Sequence, residues 1–390
     1  MRFRLRTVVG IGGALALFGL GIGLGIPAAA SNGGTGQGDS RAGFPHMTHV
    51  FVIFMENETY TAVLTVSNPN TVYIQTLAKT YGLETNYHGV THTSLPNYVA
   101  VSSGSTWGSN NDDEKQATQG DFNHLSIFDQ FDQAGISWKA YEQSLPRPGY
   151  TGDYGNCTTG VNQTCTGSTT SALYVRKHDP PMQYPGIFDN PKLAGNVVPL
   201  TELTTDLRRG TIPQFSWITP NICNDMHGMT DPTGPCPYPT TTPPTTAHQV
   251  TLYTDGNAFL QTWVPRIMDS KAWTGNSAIF ITWDEGGYEN KPPYGPLTTT
   301  GCCDSPVLPT KLETPVKASG GDLATGTLYG GGHVPMIVVA RHGARGGTDT
   351  APANHYSLLQ TIEANFRLPY IGYASDTLNV SSLAPLLSRS

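Results

Sequence analysis

The sequence is poor in charged residues, and it has no concentration of basic ones. Only 13% of its 390 residues are charged, and the formal net charge is −7. Cleavage of the first thirty residues would remove Arg2, Arg4 and Arg6 and make the chain more acidic still. Because nucleic acid is bound chiefly through Lys and Arg contacts to phosphates, we expect no nucleic-acid partner.

Long apolar runs are also scarce, since only the N-terminal one approaches the length of a membrane-spanning helix. The three arginines are followed by an apolar run from Val8 to Ile26 and by Ala28-Ala29-Ala30, the pattern of a secretion signal. An uncleaved anchor is the alternative because of the length of the run. With the signal cleaved, we expect a secreted, extracellular or periplasmic protein without a stable membrane span. The predicted segments are a signal peptide over 1–30, a Gly/Ser-rich flexible tether over 31–45 and a single folded domain over 46–390.

Cysteine patterns typical of zinc fingers are absent from the sequence. Six cysteines in an exported chain favour disulfides instead. Proximity along the chain favours the pairs Cys157–Cys165 and Cys223–Cys236. It leaves the adjacent residues Cys302 and Cys303 either bridged to each other or reduced.

Helical patterns alternate with continuous apolar, β-rich runs along the rest of the chain. Runs typical of buried strands are HVFVIFM at 49–55, FSWIT at 215–219, SAIFIT at 277–282 and PMIVVA at 335–340, and helical patterns lie at 125–135 and 258–269. This alternation predicts one α/β domain with a largely parallel central sheet and helices on both of its faces. Three stretches rich in turn-forming residues, 144–171, 229–250 and 288–330, are predicted to be long surface-loop insertions.

Polar residues follow two of the apolar runs, directly in one case and after Trp283 in the other. Glu56-Asn57 comes after the first predicted strand, and Asp284-Glu285 follows the run at 277–282. An acidic residue at a strand end often serves only as a helix cap or a loop charge. Ligands in open α/β sheets, however, bind at the carboxyl ends of strands. Two carboxylates and an amide oxygen there, completed by a hydroxyl, would suit calcium, magnesium or manganese.

The segment VTHTSLPNYVAVSSGST, residues 90–106, predicts the start of a helix. Proline is tolerated in the first helical turn, so Pro96 places the start of the helix close by. The hydroxyls of Thr93 and Ser94 would then lie at a helix N-terminus, where free N–H groups and the helix dipole favour an anion. The alternative is that Ser94 or Leu95 only caps the helix.

Several blocks of the sequence resemble the phosphoesterase family of bacterial phospholipases C and secreted acid phosphatases, within the alkaline-phosphatase superfamily. The blocks are HVFVIFMENETY, HTSLPNYVAVSSGST, SIFDQFDQAGISWKAYEQSLP, FSWITPNICNDMHG, IFITWDEGG and NHYSLLQTIEANFRLPYIGYA, and they cover most of residues 47–375 in the family's order. The chain lacks the extra C-terminal region of the long phospholipases. The resemblance is therefore closer to the short secreted acid phosphatases.

The resemblance implies an alkaline-phosphatase-like domain and specific roles for its polar residues. It implies that Ser94 is the nucleophile, with Thr93 as the fallback, and that Glu56, Asn57, Asp284 and Glu285 bind metal or phosphate. We expect Ser94 to complete the set around one divalent ion, which would be calcium, magnesium, manganese or zinc. The polar positions around the phosphoryl group would be His92, Asp225, His227 and His333.

The number of metal ions is left open by the sequence. Asp225, His227 and His333 could hold a second ion or could act directly as hydrogen-bond donors, and we favour a single tightly held ion. His355 is expected at the start of a helix. The sequence His178-Asp179-Pro180 is expected to be a loop turn near the substrate cleft.

The predicted function is that of a monomeric, metal-dependent acid phosphatase, which hydrolyses phosphate monoesters through a phosphoserine intermediate. A metal, Asn57 and several histidines could bind the three free oxygens of a monoester, including phosphoinositide head groups. The insertions at 144–171 and 229–250 show no amphipathic helix for a lipid surface, so a phospholipase C-type phosphodiesterase is the first alternative. A calcium-stabilised cell-surface binding module is the second alternative, and it leaves Ser94 and the histidines unexplained.

Overall fold

The structure is a computed structural model, and it describes residues 44–65, 68–109, 111–155, 172–238, 246–286, 300–303 and 330–388. The signal peptide over 1–30, most of the tether over 31–45 and the predicted Cys157–Cys165 bridge lie outside these residues, so they stay predictions. Among the residues that the structure describes, no helix combines the length and the hydropathy that a bilayer crossing requires.

An eight-stranded sheet forms the centre of the domain, in the order β5-β4-β6-β1-β7-β8-β2-β9. All neighbouring strands in it are parallel except that β8 runs antiparallel to β7 and β2. A small second sheet pairs β3 with β10 in parallel. The strands are β1 (Val50–Met55), β2 (Gly82–Glu84), β3 (Tyr87–His88), β4 (Trp138–Glu142), β5 (Val197–Pro199), β6 (Phe215–Thr219), β7 (Ala278–Trp283), β8 (Met336–Ala340), β9 (Thr348–Asp349) and β10 (Ala353–Asn354).

Helices surround the sheet, with α3 packed against α10 and α2 packed against α9. The α-helices are α1 (Tyr60–Leu64), α2 (Val72–Thr80), α3 (Ser94–Ser103), α4 (Lys115–Gln119), α5 (Ile127–Ala134), α6 (Pro185–Phe188), α7 (Pro191–Ala194), α8 (Thr201–Arg209), α9 (Thr246–Met268) and α10 (His355–Phe366). Short 3-10 turns cover Arg176–His178, Pro180–Gln183, Gly372–Ser375 and Ala384–Leu386.

The central strands are buried along their whole length. Every residue of β1, β6, β7 and β8 is buried, which is possible only for a sheet that is covered on both faces. These strands are the four apolar runs of the sequence, with boundaries shifted by at most one residue. The predicted α/β fold with a largely parallel sheet is therefore confirmed.

The C-terminal boundary predicted for the loop at 229–250 is wrong, because the loop ends earlier. Residues from Thr246 onward already belong to α9, because the helix begins at the end of the Pro- and Thr-rich stretch and well before the apolar pattern at 258. The described part of the loop at 144–171 is irregular apart from a bridge between Tyr154 and Tyr174. Most of the third predicted loop, 288–330, lies outside the described residues.

Two disulfides occur in the described part of the chain. Cys223 is bonded to Cys236, as proximity along the chain predicted, and Cys302 is bonded to its neighbour Cys303. The second bond decides between the two states that the sequence left open. The Cys223–Cys236 bridge closes a loop shortly after β6, and this loop carries Asp225 and His227.

Glycine at position 104 allows α3 to end against the chain segment before Gly372. Gly104 caps α3 in the left-handed conformation with φ 79°, and its carbonyl accepts a hydrogen bond from the Tyr373 backbone at 2.7 Å. A Cβ atom at this position would lie 2.3 Å from the Ile371 carbonyl oxygen. The close approach, and not only the backbone conformation, therefore requires glycine.

We expect Gly104→Ala to destabilise the protein by about 3 kcal/mol, because left-handed strain and a clash with backbone atoms add together. Gly120→Ala is the matched control, since Gly120 also caps a helix, with φ 86°, but has nothing within 4 Å of the new Cβ atom. The control should lose only about 1 kcal/mol. Urea unfolding measures both variants, and equal losses would show that packing around Gly104 does not matter.

Candidate active site

The sheet topology brings the polar strand ends together at one edge. Strands β6, β1 and β7 are adjacent and parallel, so their carboxyl ends meet. The backbone N–H of Glu56 donates to the Asp225 carbonyl at 2.8 Å, and that of Asp284 donates to the Met55 carbonyl at 2.9 Å. Residues more than two hundred positions apart in the sequence therefore line a single buried site.

Ser94 is the first residue of α3, and its hydroxyl is directed at the acidic strand end. Thr93 is the N-cap and makes no capping bond with its side chain. The buried Ser94 hydroxyl instead donates to Glu56 Oε2 at 2.8 Å. The alternative in which Ser94 or Leu95 caps the helix is therefore wrong.

The loop before α3 is held in place by Asn97. The Asn97 side-chain oxygen accepts from the backbone N–H groups of Val90 and Thr91 at 2.9 and 3.1 Å. Its amide group donates to the carbonyls of Thr91 and Thr93 at 2.7 and 2.9 Å. This buried side chain thus provides hydrogen-bond partners for backbone N–H and carbonyl groups of the loop that carries His92 and Thr93.

Asp284 and Asn57 each carry one side-chain oxygen that is left without a hydrogen-bond partner among the described residues. Asp284 Oδ1 accepts from the Asn57 backbone at 2.9 Å, while Asp284 Oδ2 and Asn57 Oδ1 are buried and have no hydrogen-bond partner in the described part of the chain. Asn57 adopts a left-handed backbone with φ 51°, which asparagine tolerates better than most residues. Such orphaned buried oxygens are the ligand atoms that a hard cation requires.

Glu285 and His92 form a buried ion pair at this site. His92 Nδ1 contacts Glu285 Oε2, and both side chains are almost fully buried. Burial raises the pKa of Glu285, and the His92 charge opposes this shift. The structure thus pairs a predicted metal ligand with a predicted catalytic histidine.

His178 lies between two carboxylates that sequence reasoning did not connect with it. Its Nδ1 is 3.2 Å from Asp225 Oδ2, its Nε2 is 3.2 Å from Glu56 Oε1, and its ring stacks on Tyr98. Burial and the charge of Lys177 lower the pKa of His178 well below its usual range, so the imidazole is neutral. A neutral imidazole donates only one hydrogen bond, so one of the two contacts requires a proton on the carboxyl group or a cation.

His227 turns one ring nitrogen toward the same carboxylates. Its Nδ1 donates to the Gly228 carbonyl at 2.7 Å, which leaves the lone pair on Nε2. Burial and the charge of Lys177 lower the pKa of His227 to about 4. Ligand atoms of Glu56, His178 and His227 lie within 4.8 Å of one another, close enough to share one ion.

The carboxyl groups of the site cannot all be ionised without a compensating cation. Burial, followed by the charges of Asp284 and Asp225, raises the pKa of Glu56 well above its usual range. Burial and the charge of Glu285 raise the pKa of Asp284 to about 8. Burial also raises the pKa of Asp225 strongly. The donor set therefore fits a divalent metal ion, held by oxygen atoms of Glu56, Asn57 and Asp284.

The remaining predicted residues have different surroundings. His333 Nε2 donates to the Thr85 carbonyl at 2.9 Å, and its ring stacks on Tyr60. These contacts do not involve Glu56, Asp225 or Asp284, so the role of His333 stays a prediction. His355 begins α10, as expected, and its Nε2 donates to the Asp284 backbone carbonyl at 2.5 Å. That bond holds the strand end in place and gives His355 a positioning role.

Lys177 and Asp112 are further members of the site that the sequence did not reveal. Lys177 Nζ donates to Asp112 Oδ2 at 2.8 Å, and Asp112 Oδ1 accepts from the Leu95 backbone at 3.0 Å. Lys177 and His178 both lie on the 3-10 turn Arg176–His178, which follows a short buried apolar stretch at 172–175 and none of the four apolar runs that predicted strands. The sequence signals near this turn are that short stretch and the rigid Pro180-Pro181 pair after Asp179.

Comparison with known proteins gives consistent similarities. The model of the phosphoesterase family matches residues 54–234 and 242–369. An acid phosphatase of Aspergillus fumigatus is 26% identical over 323 residues, which are 83% of this chain and 55% of the fungal protein. A phosphatidylinositol-3-phosphatase of Mycobacterium tuberculosis is 23% identical over 352 residues, 89% of this chain and 86% of that protein.

The chain is shorter than its fungal relative, and a solved structure is similar to it. The chain spans about half the length of the fungal acid phosphatase that it matches. The crystal structure of the lipoteichoic acid synthase LtaP from Listeria monocytogenes superposes with a TM-score of 0.49 and 12% identity. This superposition covers 86% of this chain and 77% of that one.

We expect a divalent metal ion to raise the melting temperature more at pH 8 than at pH 5. The pKa of Asp284 rises from an ordinary value of 3.8 to about 8 in the folded protein. Between these two values the folded state binds more protons than the unfolded state, so the stability of the metal-free protein falls as pH rises. A bound cation removes this penalty.

The measurement is the melting temperature of the metal-free protein with and without added magnesium, calcium, manganese or zinc at both pH values. Asp284→Asn should reduce the metal-induced shift. Asp132→Asn is the control, because Asp132 is an exposed acid paired with Lys192. A shift that is larger at pH 5 would contradict the assignment of the carboxyl cluster as a cation site.

Proposed function

The chain belongs to the phosphoesterase family, and we propose that it is a secreted, metal-dependent acid phosphatase that hydrolyses phosphate monoesters through a phosphoserine on Ser94. The observation that carries this proposal is the hydrogen bond from the buried Ser94 hydroxyl to Glu56 at the carboxyl end of β1. The Ser94 hydroxyl lies at a helix N-terminus, which is an anion-binding environment, and its hydrogen bond to a carboxylate provides a proton acceptor.

A divalent ion bound by Glu56, Asn57 and Asp284 would lower the proton affinity of the serine hydroxyl and neutralise charge on the phosphoryl group. The residues of the chain perform the proton transfers. Glu56 accepts the Ser94 proton while Ser94 Oγ forms its bond to phosphorus and the ester P–O bond breaks. When water later attacks the phosphoserine, Glu56 returns this proton to Ser94 as the enzyme is regenerated.

The leaving oxygen needs a proton that the histidines alone do not carry in the free protein. The lowered pKa values of His178 and His227 keep both imidazoles neutral. The raised pKa of Asp225 stores a proton next to His178 Nδ1 instead. We assign the leaving-group proton to this Asp225–His178 pair, and the attacking water returns a proton to the pair in the second step.

Phosphate binding involves the remaining polar groups around Ser94. We assign donation to phosphate oxygens to the Asn57 amide and the His92 imidazole, with His333 as a further contact proposed from the sequence. His227 was also predicted as a donor, but its one N–H is used by the Gly228 carbonyl, so its Nε2 lone pair would instead face a cation. Thr93 stays the fallback nucleophile. The similarity to a phosphatidylinositol-3-phosphatase supports phosphoinositide head groups as one class of monoester substrate. A calcium-stabilised binding module would have no use for the Ser94–Glu56 contact.

Replacement of the nucleophile should separate catalysis from folding. We expect Ser94→Ala to lower kcat for p-nitrophenyl phosphate by about a thousandfold or more, because covalent catalysis is lost while the electrostatics of the site remain. The metal-induced rise in melting temperature should persist. Thr93→Ala is the matched control, and a large loss in that variant with near-normal Ser94→Ala would transfer the role to Thr93.

Substrate preference distinguishes the phosphatase from the phospholipase C alternative. We expect kcat/KM for p-nitrophenyl phosphate to exceed that for bis-p-nitrophenyl phosphate and for phosphatidylcholine, and to be higher at pH 5 than at pH 8. The physical reason is that a lower pH increases the fraction of Asp225 that carries the proton for the leaving group. Release of phosphocholine faster than inorganic phosphate would establish the phospholipase C alternative.

A further inference from the structure

We propose that Lys177 binds a nonbridging oxygen of the substrate's phosphate and makes the site selective for dianionic monoesters over monoanionic diesters. This inference rests on the proposed phosphatase function and extends it to the origin of substrate preference. Asp112 is the positioning residue that directs the Lys177 ammonium group toward the N-terminus of α3.

A single carboxylate connects Lys177 to the nucleophile. Asp112 Oδ2 accepts from Lys177 Nζ at 2.8 Å, and Asp112 Oδ1 accepts at 3.0 Å from the N–H of Leu95, the residue after Ser94. The ammonium group therefore lies at the same end of α3 as the Ser94 hydroxyl. Its bond to Asp112 uses one of three N–H donors, so the group retains donors for a phosphate oxygen.

The backbone around Lys177 is fixed, so the ammonium group is already in place before substrate binds. The Lys177 N–H donates to Glu114 Oε1 at 3.1 Å. The guanidinium of the preceding residue, Arg176, donates to the Met182 carbonyl at 2.6 and 3.0 Å. A cation that is preorganised in this way stabilises developing charge without further ordering.

The charge of Lys177 acts on the whole acidic site. The side chain is only 15% exposed, and although burial alone would lower its pKa, Asp112 and Glu56 raise it, so the group stays charged. The same charge lowers the pKa values of His178 and His227. A phosphate dianion entering among buried carboxylates needs such a cation, and the attraction is about twice as large for a dianion as for a monoanion.

A purely structural role for the Lys177–Asp112 pair makes a different prediction. In that case the pair would only attach the turn at Arg176–His178 to the loop before α4. Its loss would then impair every substrate equally through a displaced Ser94 or His178. The ratio of monoester to diester hydrolysis therefore separates a phosphate-binding role from a structural one.

The test compares Lys177→Met with Lys177→Arg and with the double variant Lys177→Met/Asp112→Asn. The double variant leaves no unpaired, partly buried carboxylate, so it remains informative if the single methionine variant does not fold. The matched control is Lys192→Met/Asp132→Asn, which removes an ion pair whose lysine side chain is 81% exposed. The metal-induced shift in melting temperature confirms that each variant retains the metal site.

We expect the methionine variants to lose about 100-fold in kcat/KM for p-nitrophenyl phosphate, comparable to the removal of one transition-state donor. The loss for bis-p-nitrophenyl phosphate should stay below about tenfold, and the inhibition constant of inorganic phosphate should rise about tenfold or more. Lys177→Arg should restore most of the monoester preference. Equal losses for both substrates in a variant that retains the metal shift would overturn the proposal.

Calorimetric titration with inorganic phosphate keeps this test independent of turnover. If the metal-loaded protein hydrolyses no phosphate ester, the proposed function fails. Binding of phosphate that is lost in Lys177→Met would still support Lys177 as an anion-binding residue in that case. Equal phosphate affinity in the unaltered protein and in Lys177→Met would refute the inference, whatever the activity.

Discussion

The burial of several carboxyl groups at one sheet edge is the constraint on which the rest of the site depends. The order of β6, β1 and β7 brings Asp225, Glu56 and Asp284 to one end of the sheet, where backbone hydrogen bonds join Glu56 to Asp225 and Asp284 to Met55. Their side chains are buried, so each charge must be balanced by a proton, a buried cation or a metal ion. Part of this balance comes from His92 beside Glu285 and from the charge of Lys177. A cation bound by the oxygens of Asn57 and Asp284 that lack a partner among the described residues would supply the rest.

The same constraint determines what the histidines can do. Imidazoles among carboxylates would ordinarily be charged, but burial and the nearby Lys177 ammonium keep His178 and His227 neutral. A neutral imidazole can offer a lone pair to a metal ion or pass a proton between neighbouring groups. The protons of the free site are held by its carboxyl groups, whose pKa values are raised. In the proposed mechanism, a preference for acidic conditions would therefore come from protonated carboxyl groups and not from charged imidazoles of His178 and His227.

Sequence reasoning succeeded where polarity changes abruptly along a regular element. Glu56 and Asp284 follow wholly apolar strands, and parallel strands bring such ends together, so their convergence could be predicted from the pattern. The start of α3 was likewise predictable from Pro96. Whether the Ser94 hydroxyl capped the helix or faced Glu56 was not, because that choice depends on β1 lying beside the helix N-terminus.

The residues that the sequence did not reveal share a different origin. Lys177 and His178 lie on a turn that is positioned by Arg176 and by long-range bonds to Glu114, and Asp112 lies in a loop without periodicity. No local pattern records such contacts, since they exist only after the loops have packed around α3. The strand ends and the loop after β6 thus supply the carboxylates, and the turn at Arg176–His178 supplies the compensating charge of Lys177.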